Sequence, residues 1–307
     1  MVYEPINLDP QSEFFIALCS SRGHSYVTLG VKIAGQIRTL AAVGKRFADN
    51  HPALCDFLFT NTRAVIKNEE YVFEKKWLNL DYKAYAITLQ NYFEFLDYLK
   101  SIVLNQGANM QAYFPEPDNP FIFKYQYVTK FALPDPSIFV TNIDQHTRIS
   151  LNNTCRHSAI NLTHEASKLT NLGNGVSSLF FKDLPLKAVF ARGVFRDATP
   201  YFYILPIPPT ALGIMPAAKL KIVTKLYQRL DEIALIEQKN PITILKFHRL
   251  KELYNNLTIN QQNSMLMIMQ KIDDWTKINQ QLIETHRQSH WFTFQTATAK
   301  MFAQFRN

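Results

Sequence analysis

The 307-residue sequence contains only three cysteines, Cys19, Cys55 and Cys155, which are widely spaced and form no Cys-x-x-Cys pair. This set argues against a disulfide scaffold and favours reduced thiols. No apolar run approaches the length of a membrane span, and the N-terminus lacks the basic and apolar regions of a secretory signal peptide. A hydrophobic content of 47% and a charged content of 19% instead indicate a folded globular protein with one large domain or two ordinary ones.

Positive charge is concentrated in the C-terminal third of the chain. The formal net charge is +8, and residues 217–307 hold 13 Lys and Arg against 7 Asp and Glu. Residues 1–216 therefore carry a net charge of only +2. Such a field favours an acidic partner or an anionic surface, although a solvated helix face gives the same count.

Alternating apolar patterns predict β-strands in the N-terminal region. The stretches FFIALCS, HSYVTLGVKI and QIRTLAAVG follow one another within residues 12–47, separated by Gly23 and by the pair Ala34-Gly35. Further apolar and aromatic runs lie at 70–79, 82–87, 110–114 and 121–133. We therefore expect a sheet built largely from the first half of the chain.

Helical patterns follow these strands. Thr88 caps the segment LQNYFEFLDYLKSIVL, whose apolar residues recur at helical spacing. A second helix is predicted to begin after the cap residues at 152–154 and to end at Gly173 and Gly175.

The last third of the sequence is predicted to be helical throughout. KLKIVTKLYQRLDEIALIE is amphipathic, and Asn240-Pro241 opens a second helix with proline at its first position. Thr258-x-x-Gln261 is a capping-box pattern that predicts the start of a third helix.

These elements predict an α+β protein with two regions. Prolines within the segment 208–216 indicate a boundary. We therefore expect an α+β catalytic core over residues 10–215, followed by a helical C-terminal region over residues 217–307.

One cysteine stands at a predicted helix start. In SLNNTCRHSAINL, Cys155 directly follows the cap residues and falls in the first turn. The positive end of the helix dipole and the unpaired backbone N–H groups favour a thiolate there, and Arg156 adds positive charge. The same N–H groups suit a developing oxyanion. We predict that Cys155 is a nucleophile, whereas Cys19 and Cys55 pack as small apolar residues.

A nucleophilic thiol needs an imidazole to take its proton. His157 and His164 share the helix of the thiol and are expected to point away from its first turn. The three histidines of the C-terminal third fall in predicted helices, and no predicted strand after the thiol contains a histidine. His24 opens a predicted strand and is therefore the candidate base.

Two short motifs, GHSYVTLG and NNTCRHSAINL, resemble those of the circularly permuted papain-like cysteine hydrolases. That group includes the permuted NlpC/P60 proteins, the lecithin:retinol acyltransferase-like proteins and the PPPDE peptidases. In these families a histidine opens a strand of the form H-x-x-I-x-x-G, and N-C-x-H follows far downstream at a helix start. His24, Val27 and Gly30 match the first motif, and Cys155 and His157 match the second. The families place asparagine directly before the cysteine, whereas here a threonine intervenes.

The resemblance implies a papain-like core with permuted order, in which the strand histidine precedes the helix cysteine. It implies hydrolysis or acyl transfer on a protein or lipid-like substrate, without a cofactor. Cys155 would attack a carbonyl carbon, and His24 would serve as general base and then as general acid.

The third catalytic residue, which orients the imidazole, is assigned by the families' spacing. A polar residue on the next strand leads to Gln36, and Asp49 is the nearest acid beyond it. A tight hairpin would instead place Gln36 beside Ile33 and bring residues near Lys45 opposite His24.

The long interval between the motifs and the helical last third are similar in style to Dot/Icm type IV-secreted effectors of intracellular bacteria. That similarity implies a bacterial effector that is made in the cytoplasm of the producing cell and delivered into a host cell without a cleavable signal peptide. A host protein is then the expected substrate or partner. The alternative function is a non-enzymatic module that binds a host protein through its helical region. The sequence leaves the oligomeric state open.

Three other interpretations are less favoured. His286-x-x-x-His290 has the spacing of two metal ligands, but the intervening RQS lacks the glutamate of a zinc protease, so no metal site is predicted. No recognisable motif supports nucleic-acid binding. The stretch WFTFQTATAKMFAQF at 291–305 suits peripheral membrane association, although packing on the helical core or on a partner is preferred.

Overall fold

The computed structural model describes residues 4–21, 23–48, 62–69, 77–107, 109–130, 144–150, 152–169, 184, 186–191, 203–235, 240–259, 264–284 and 296–305. The protein is α+β, as predicted. Its chain divides into two compact units, Met1–Ile204 and Leu205–Asn307. The proline-containing segment 205–216, which the sequence analysis assigned mainly to the core, therefore groups with the second unit.

The first unit is organised around a large β-sheet. Its strands in chain order are β1 (Ile6–Asn7), β2 (Glu13–Ser21), β3 (His24–Ile33), β4 (Gln36–Phe47), β5 (Thr62–Asn68), β6 (Trp77–Ala86), β7 (Gln111–Glu116), β8 (Asn119–Tyr127), β9 (Arg148–Ile149), β10 (Leu186–Ala191) and β11 (Ile204–Leu205). The main sheet has the spatial order β10-β6-β2-β3-β4-β5-β9, with β11 beside β6. A smaller sheet has the order β1-β8-β7.

Two tight turns join the central strands β2, β3 and β4. Gly23, with a φ of 79°, lies in the first turn, and Ala34 and Gly35 form the second with φ values of 48° and 82°. Two successive residues with positive φ match the right-handed twist of a hairpin, which explains the glycine. Ile33 pairs with Gln36 across the second turn. The predicted turns are confirmed, and they place His24 and Gln36 at opposite ends of the hairpin.

The described part of the first unit also contains the α-helices α1 (Leu89–Gln106), α2 (Asp144–Thr147) and α3 (Cys155–Ser167). As predicted, Thr88 caps α1, since its hydroxyl accepts the N–H of Asn91 at 3.0 Å. Gly107 ends α1 in the left-handed conformation, with a φ of 62°.

Helix α3 lies on β2, β3 and β4. Its predicted apolar face is buried: Ala159, Leu162 and Ala166 are at most 1% exposed. The helix ends earlier than the sequence predicted, because Lys168 adopts the left-handed conformation and donates its N–H to His164 O at 2.7 Å. The two glycines that were expected to end it, at 173 and 175, lie outside the described residues.

The second unit contains α4 (Ala217–Ala234), α5 (Pro241–Thr258), α6 (Met265–Ile278), α7 (Gln280–Glu284) and α8 (Ala297–Ala303). The predicted start of α5 is confirmed, since Asn240 Oδ1 accepts the N–H of Thr243 at 2.8 Å. Part of the stretch considered for membrane association packs inside this unit: Phe302 is 5% exposed, and its ring lies 5.2 Å from that of Trp275. Among the helices that the structure describes, none has the length and hydrophobicity that a membrane crossing needs.

The capping-box prediction at Thr258 is wrong. Thr258 lies in the last turn of α5, where its hydroxyl donates to Tyr254 O at 3.0 Å. A threonine that bonds back to the carbonyl four residues earlier continues a helix rather than starting one. The next helix, α6, begins after Ser264, whose Oγ accepts the N–H of Met267 at 3.3 Å.

Candidate active site

Cys155 is the first residue of α3. Thr154 precedes it as the N-cap residue, and His157 is the third residue of the helix, at position N3. Nδ1 of His157 accepts the Thr154 N–H at 3.2 Å and lies 3.0 Å from Thr154 Oγ1. This reciprocal arrangement is a capping box in which histidine takes the place of the usual glutamate. His157 therefore shapes the helix start and is not positioned as a base for the thiol.

His24 and Cys155 meet although 131 positions separate them in the chain. His24 is the first residue of β3, and its imidazole lies close enough to the Cys155 thiol for each group to shift the pKa of the other. Its Nε2 lies 2.7 Å from Glu69 Oε1. The structure thus brings together the two side chains that the sequence analysis paired.

The carboxylate of Glu69 is the hydrogen-bond partner of Nε2 in the His24 ring. Glu69 directly follows β5, and its N–H donates to Ala42 O on β4 at 2.9 Å. Its side chain is fully buried. Arg46 donates to this carboxylate from Nε, at 3.3 Å to Oε1, and from Nη2 to Oε2. Glu69 therefore receives both a ring nitrogen and a guanidinium, and these bonds compensate for burying its charge.

The carboxylate and the imidazole occupy space above Gly44 on β4. A Cβ atom added to Gly44 would lie 3.0 Å from Nε2 of His24 and would overlap the carboxylate of Glu69. Glycine is therefore the only residue here that allows the two groups to approach one another without displacement.

The charges of the three groups depend on one another. Burial raises the pKa of the Cys155 thiol, but the hydrogen bond and charge of His24, together with a bond to the backbone of Ser25, hold it below the ordinary value. Burial lowers the pKa of His24, but its bonds to Cys155 and Glu69 outweigh this effect and raise it to about 9. Burial raises the pKa of Glu69, yet His24 and Arg46 hold it below its usual range. These shifts all favour the charged forms of the three groups, a thiolate, an imidazolium and a carboxylate.

Gln36, the first predicted candidate for the third residue, does not lie beside His24. Gln36 is exposed at the other end of β3, nine residues or about 30 Å along the strand from His24. Asp49 lies outside the described residues. Glu69, rather than Gln36, lies against the imidazole of His24. An acid at the end of a strand was the only signal for it in the sequence, and that signal is useful only when the pairing of β4 with β5 is known.

His146 is a structural residue. It is fully buried, and Ser158 Oγ lies 2.8 Å from its Nδ1. Tyr98 Oη and Asn161 Oδ1 lie 2.8 Å and 3.0 Å from its Nε2. Burial, with the charge of Lys45, lowers its pKa to about 4, so the ring is neutral at physiological pH. With both nitrogens engaged, His146 links α1 to α3 and is not available as a base.

Of the remaining candidates, the structure describes only Cys19. Cys19 is fully buried, and burial raises its pKa to about 12, so it is the packed thiol that the sequence predicted. Cys55, His286 and His290 lie outside the described residues. Within the described ranges, no cluster of three or more His, Cys, Asp or Glu side chains is arranged to hold a metal ion.

His24 is the more exposed member of the pair. The side chain of His24 is 24% exposed, whereas Cys155 is 9% exposed. No family model matches the chain, and neither a curated protein nor a solved structure shows significant similarity to it. The contacts among Cys155, His24 and Glu69 are therefore the basis for assigning a reaction to the site.

Proposed function

We propose that the protein is a cysteine hydrolase or acyltransferase. Cys155 is the nucleophile, His24 is the general base and acid, and Glu69 orients the imidazole. The observation that carries this proposal is the convergence of these three groups from α3, β3 and the end of β5, with a buried carboxylate on Nε2 of the imidazole. A packed structural cysteine needs no imidazole, and Cys19 has none.

The proposed reaction has two stages. In the first, the Cys155 thiolate attacks a carbonyl carbon, and the carbonyl electron pair moves to the oxygen. The tetrahedral intermediate collapses to a thioester as the leaving group takes the proton of the His24 imidazolium. In the second stage, neutral His24 takes a proton from water or from another acceptor, which attacks the thioester. The thiolate leaves, and the ion pair is restored.

The start of α3 supplies the oxyanion site. The N–H groups in the first turn of a helix have no intrahelical acceptor, and the helix dipole adds positive potential there. The backbone N–H of Cys155 is the donor closest to the forming bond, so we assign it to the oxyanion.

The arrangement of elements supports a papain-like core with permuted order. A helix that begins at the cysteine lies on a β-sheet, and the histidine opens a central strand that precedes this helix in the chain. Asn153, displaced by one position from the families' motif, accepts Lys45 Nζ with its Oδ1 at 2.7 Å. We extend the proposal to acyl groups of a host protein or a lipid-like molecule, as the two resemblances imply.

Acylation by simple probes tests this proposal. A panel of p-nitrophenyl acetate, a thioester and an aminomethylcoumarin amide should place one acyl group on Cys155, and water should then release it. Peptide mapping by mass spectrometry would locate the acyl group, and Cys155→Ala is the matched control. Probes that leave Cys155 unmodified, or turnover that persists in Cys155→Ala, would contradict the proposal, and the former result would favour the non-enzymatic module.

A further inference from the structure

A lysine is buried beside the candidate site. Lys45 follows Gly44 on β4 and is only 1% exposed. Its ammonium lies 2.8 Å from the carbonyl oxygens of Gln145, Arg148 and Asn153, and 2.7 Å from Asn153 Oδ1. Three N–H protons are thus shared among four oxygen atoms, in charge-assisted hydrogen bonds of the strong kind.

These oxygens all belong to the segment 145–153, which leads into α3. Asn153 closes this segment further, because its Nδ2 donates to the carbonyls of Asp144 at 3.1 Å and Arg148 at 3.0 Å. Two positions later the chain reaches Cys155. Oxygen atoms of this segment therefore converge on one ammonium group, as the oxygen atoms of other loops converge on a bound cation.

The charge of Lys45 also acts on the groups around it. It is one of the interactions that lower the pKa of the Cys155 thiol against the effect of burial. Together with burial, it lowers the pKa of His146 and of His157, which keeps both rings neutral. Burial lowers the pKa of Lys45 itself to about 7, while the negative charge of Cys155 opposes this effect and favours the ammonium.

We propose that Lys45 is a positioning residue of this site: its ammonium fixes the segment 145–153 and thereby holds the sulfur of Cys155 against His24. The inference rests on the proposed function, since the chemistry that it serves is that of Cys155. Lys45 does not touch the reacting atoms; it acts through the segment and through its charge. Without it, the carbonyl oxygens lose their shared donor, and the helix start loses a fixed position.

The test is the pH dependence of iodoacetamide alkylation at Cys155 in the full-length protein. In Lys45→Met, which keeps the aliphatic stem but not the charge, alkylation at pH 6.5 should slow about tenfold, and the midpoint should move up by about one pH unit. Asn153→Ala disturbs the same segment without removing the buried charge. It should move the profile in the same direction by a smaller amount.

Lys83→Met is the matched control. Lys83 is also a buried lysine of the main sheet, 6% exposed on β6, and its ammonium lies over the Tyr85 ring at 5.8 Å. Its replacement should lower thermal stability and leave the alkylation profile of Cys155 unchanged. A general loss of stability would not move the thiol profile, so the comparison separates positioning from folding.

The outcomes are distinct. Folded Lys45→Met with the wild-type alkylation profile would overturn the inference and leave the proposed function intact. If Lys45→Met does not fold, Asn153→Ala decides alone: a shifted profile supports the inference and an unchanged one overturns it. Wild-type Cys155 that alkylates as slowly as Cys19 would instead refute the proposed function.

Discussion

Replacing His24 with alanine should reduce turnover of acyl probes by about a thousandfold or more while the protein stays folded. The imidazolium raises the thiolate fraction of Cys155 and also supplies the proton for the leaving group, so its loss removes both effects. The side chain is 24% exposed and lies at a strand end, so its packing contributes little to stability. Steady-state rates and thermal unfolding of the same preparations provide the measurement.

The double variant strengthens this prediction. Cys155→Ala should abolish turnover, and Cys155→Ala combined with His24→Ala should be no worse, because residues that act as one unit lose their effects non-additively. His164→Ala is the control that should keep wild-type activity, since its ring lies near the end of α3 and is 43% exposed. His157→Ala should keep most activity but lose about 1 kcal/mol of stability through the helix cap. Full turnover in His24→Ala would exclude the proposed pair.

Replacing Gly44 with alanine should cost about a hundredfold in turnover, because the added methyl group displaces the Glu69 carboxylate from His24. The displaced atoms are the end of a flexible side chain, so the fold should survive. Glu69→Gln should cause a loss of similar size by a different route, since the amide keeps the volume but not the charge that favours the imidazolium. Turnover of acyl probes measures both variants.

Gly30→Ala is the matched glycine control. There the added Cβ would meet Arg38 O at 2.9 Å and overlap the ring of Phe15. This clash lies in the core, away from the site, so it should cost about 1–3 kcal/mol of stability. The turnover of the remaining folded protein should be unchanged. Gly44→Ala that matches wild type in turnover would show that the Glu69–His24 contact has no catalytic importance.

The proximity of Cys155 and His24 was predictable because each residue carries a local signal. Cys155 follows a run of helix-capping residues, and His24 follows a turn glycine at the start of an alternating strand. Capping and strand alternation act over a few neighbouring residues, so they can be recognised without the tertiary fold. The resemblance to permuted hydrolases added the pairing of the two motifs.

The supporting residues were not predictable in the same way. Glu69 is one charge in the stretch KNEE, and the hairpin argument brought residues near Lys45 opposite His24 without giving Gly44 or Lys45 a role. Their roles arise only when β4 lies between β3 and β5 and when the segment 145–153 folds over β4. Spacing along the chain led instead to Gln36, because hairpin geometry rather than residue count decides which positions face His24.

Local sequence patterns also gave wrong or incomplete predictions of helix starts. The motif Thr258-x-x-Gln261 has the letters of a capping box, but the threonine hydroxyl is already bonded within α5. Conversely, the capping box at Thr154 uses His157, a residue that the usual pattern does not include. In both cases the sequence shows the available donors and acceptors but not which of them are already paired.

The central claim is that Cys155 and His24 form a thiolate–imidazolium pair, and the pH profile of Cys155 alkylation tests it most directly. Because the positive ring favours the thiolate, wild-type Cys155 should reach half-maximal reactivity below the ordinary thiol pKa of about 8.5 and should stay reactive through neutral pH. In His24→Ala the midpoint should rise, since only the smaller effects of Ser25 and Lys45 then oppose the effect of burial on the thiol. Turnover should decrease at alkaline pH, because the His24 imidazolium, with a pKa of about 9, loses its proton there. Coincident alkylation profiles for wild type and His24→Ala would contradict the account.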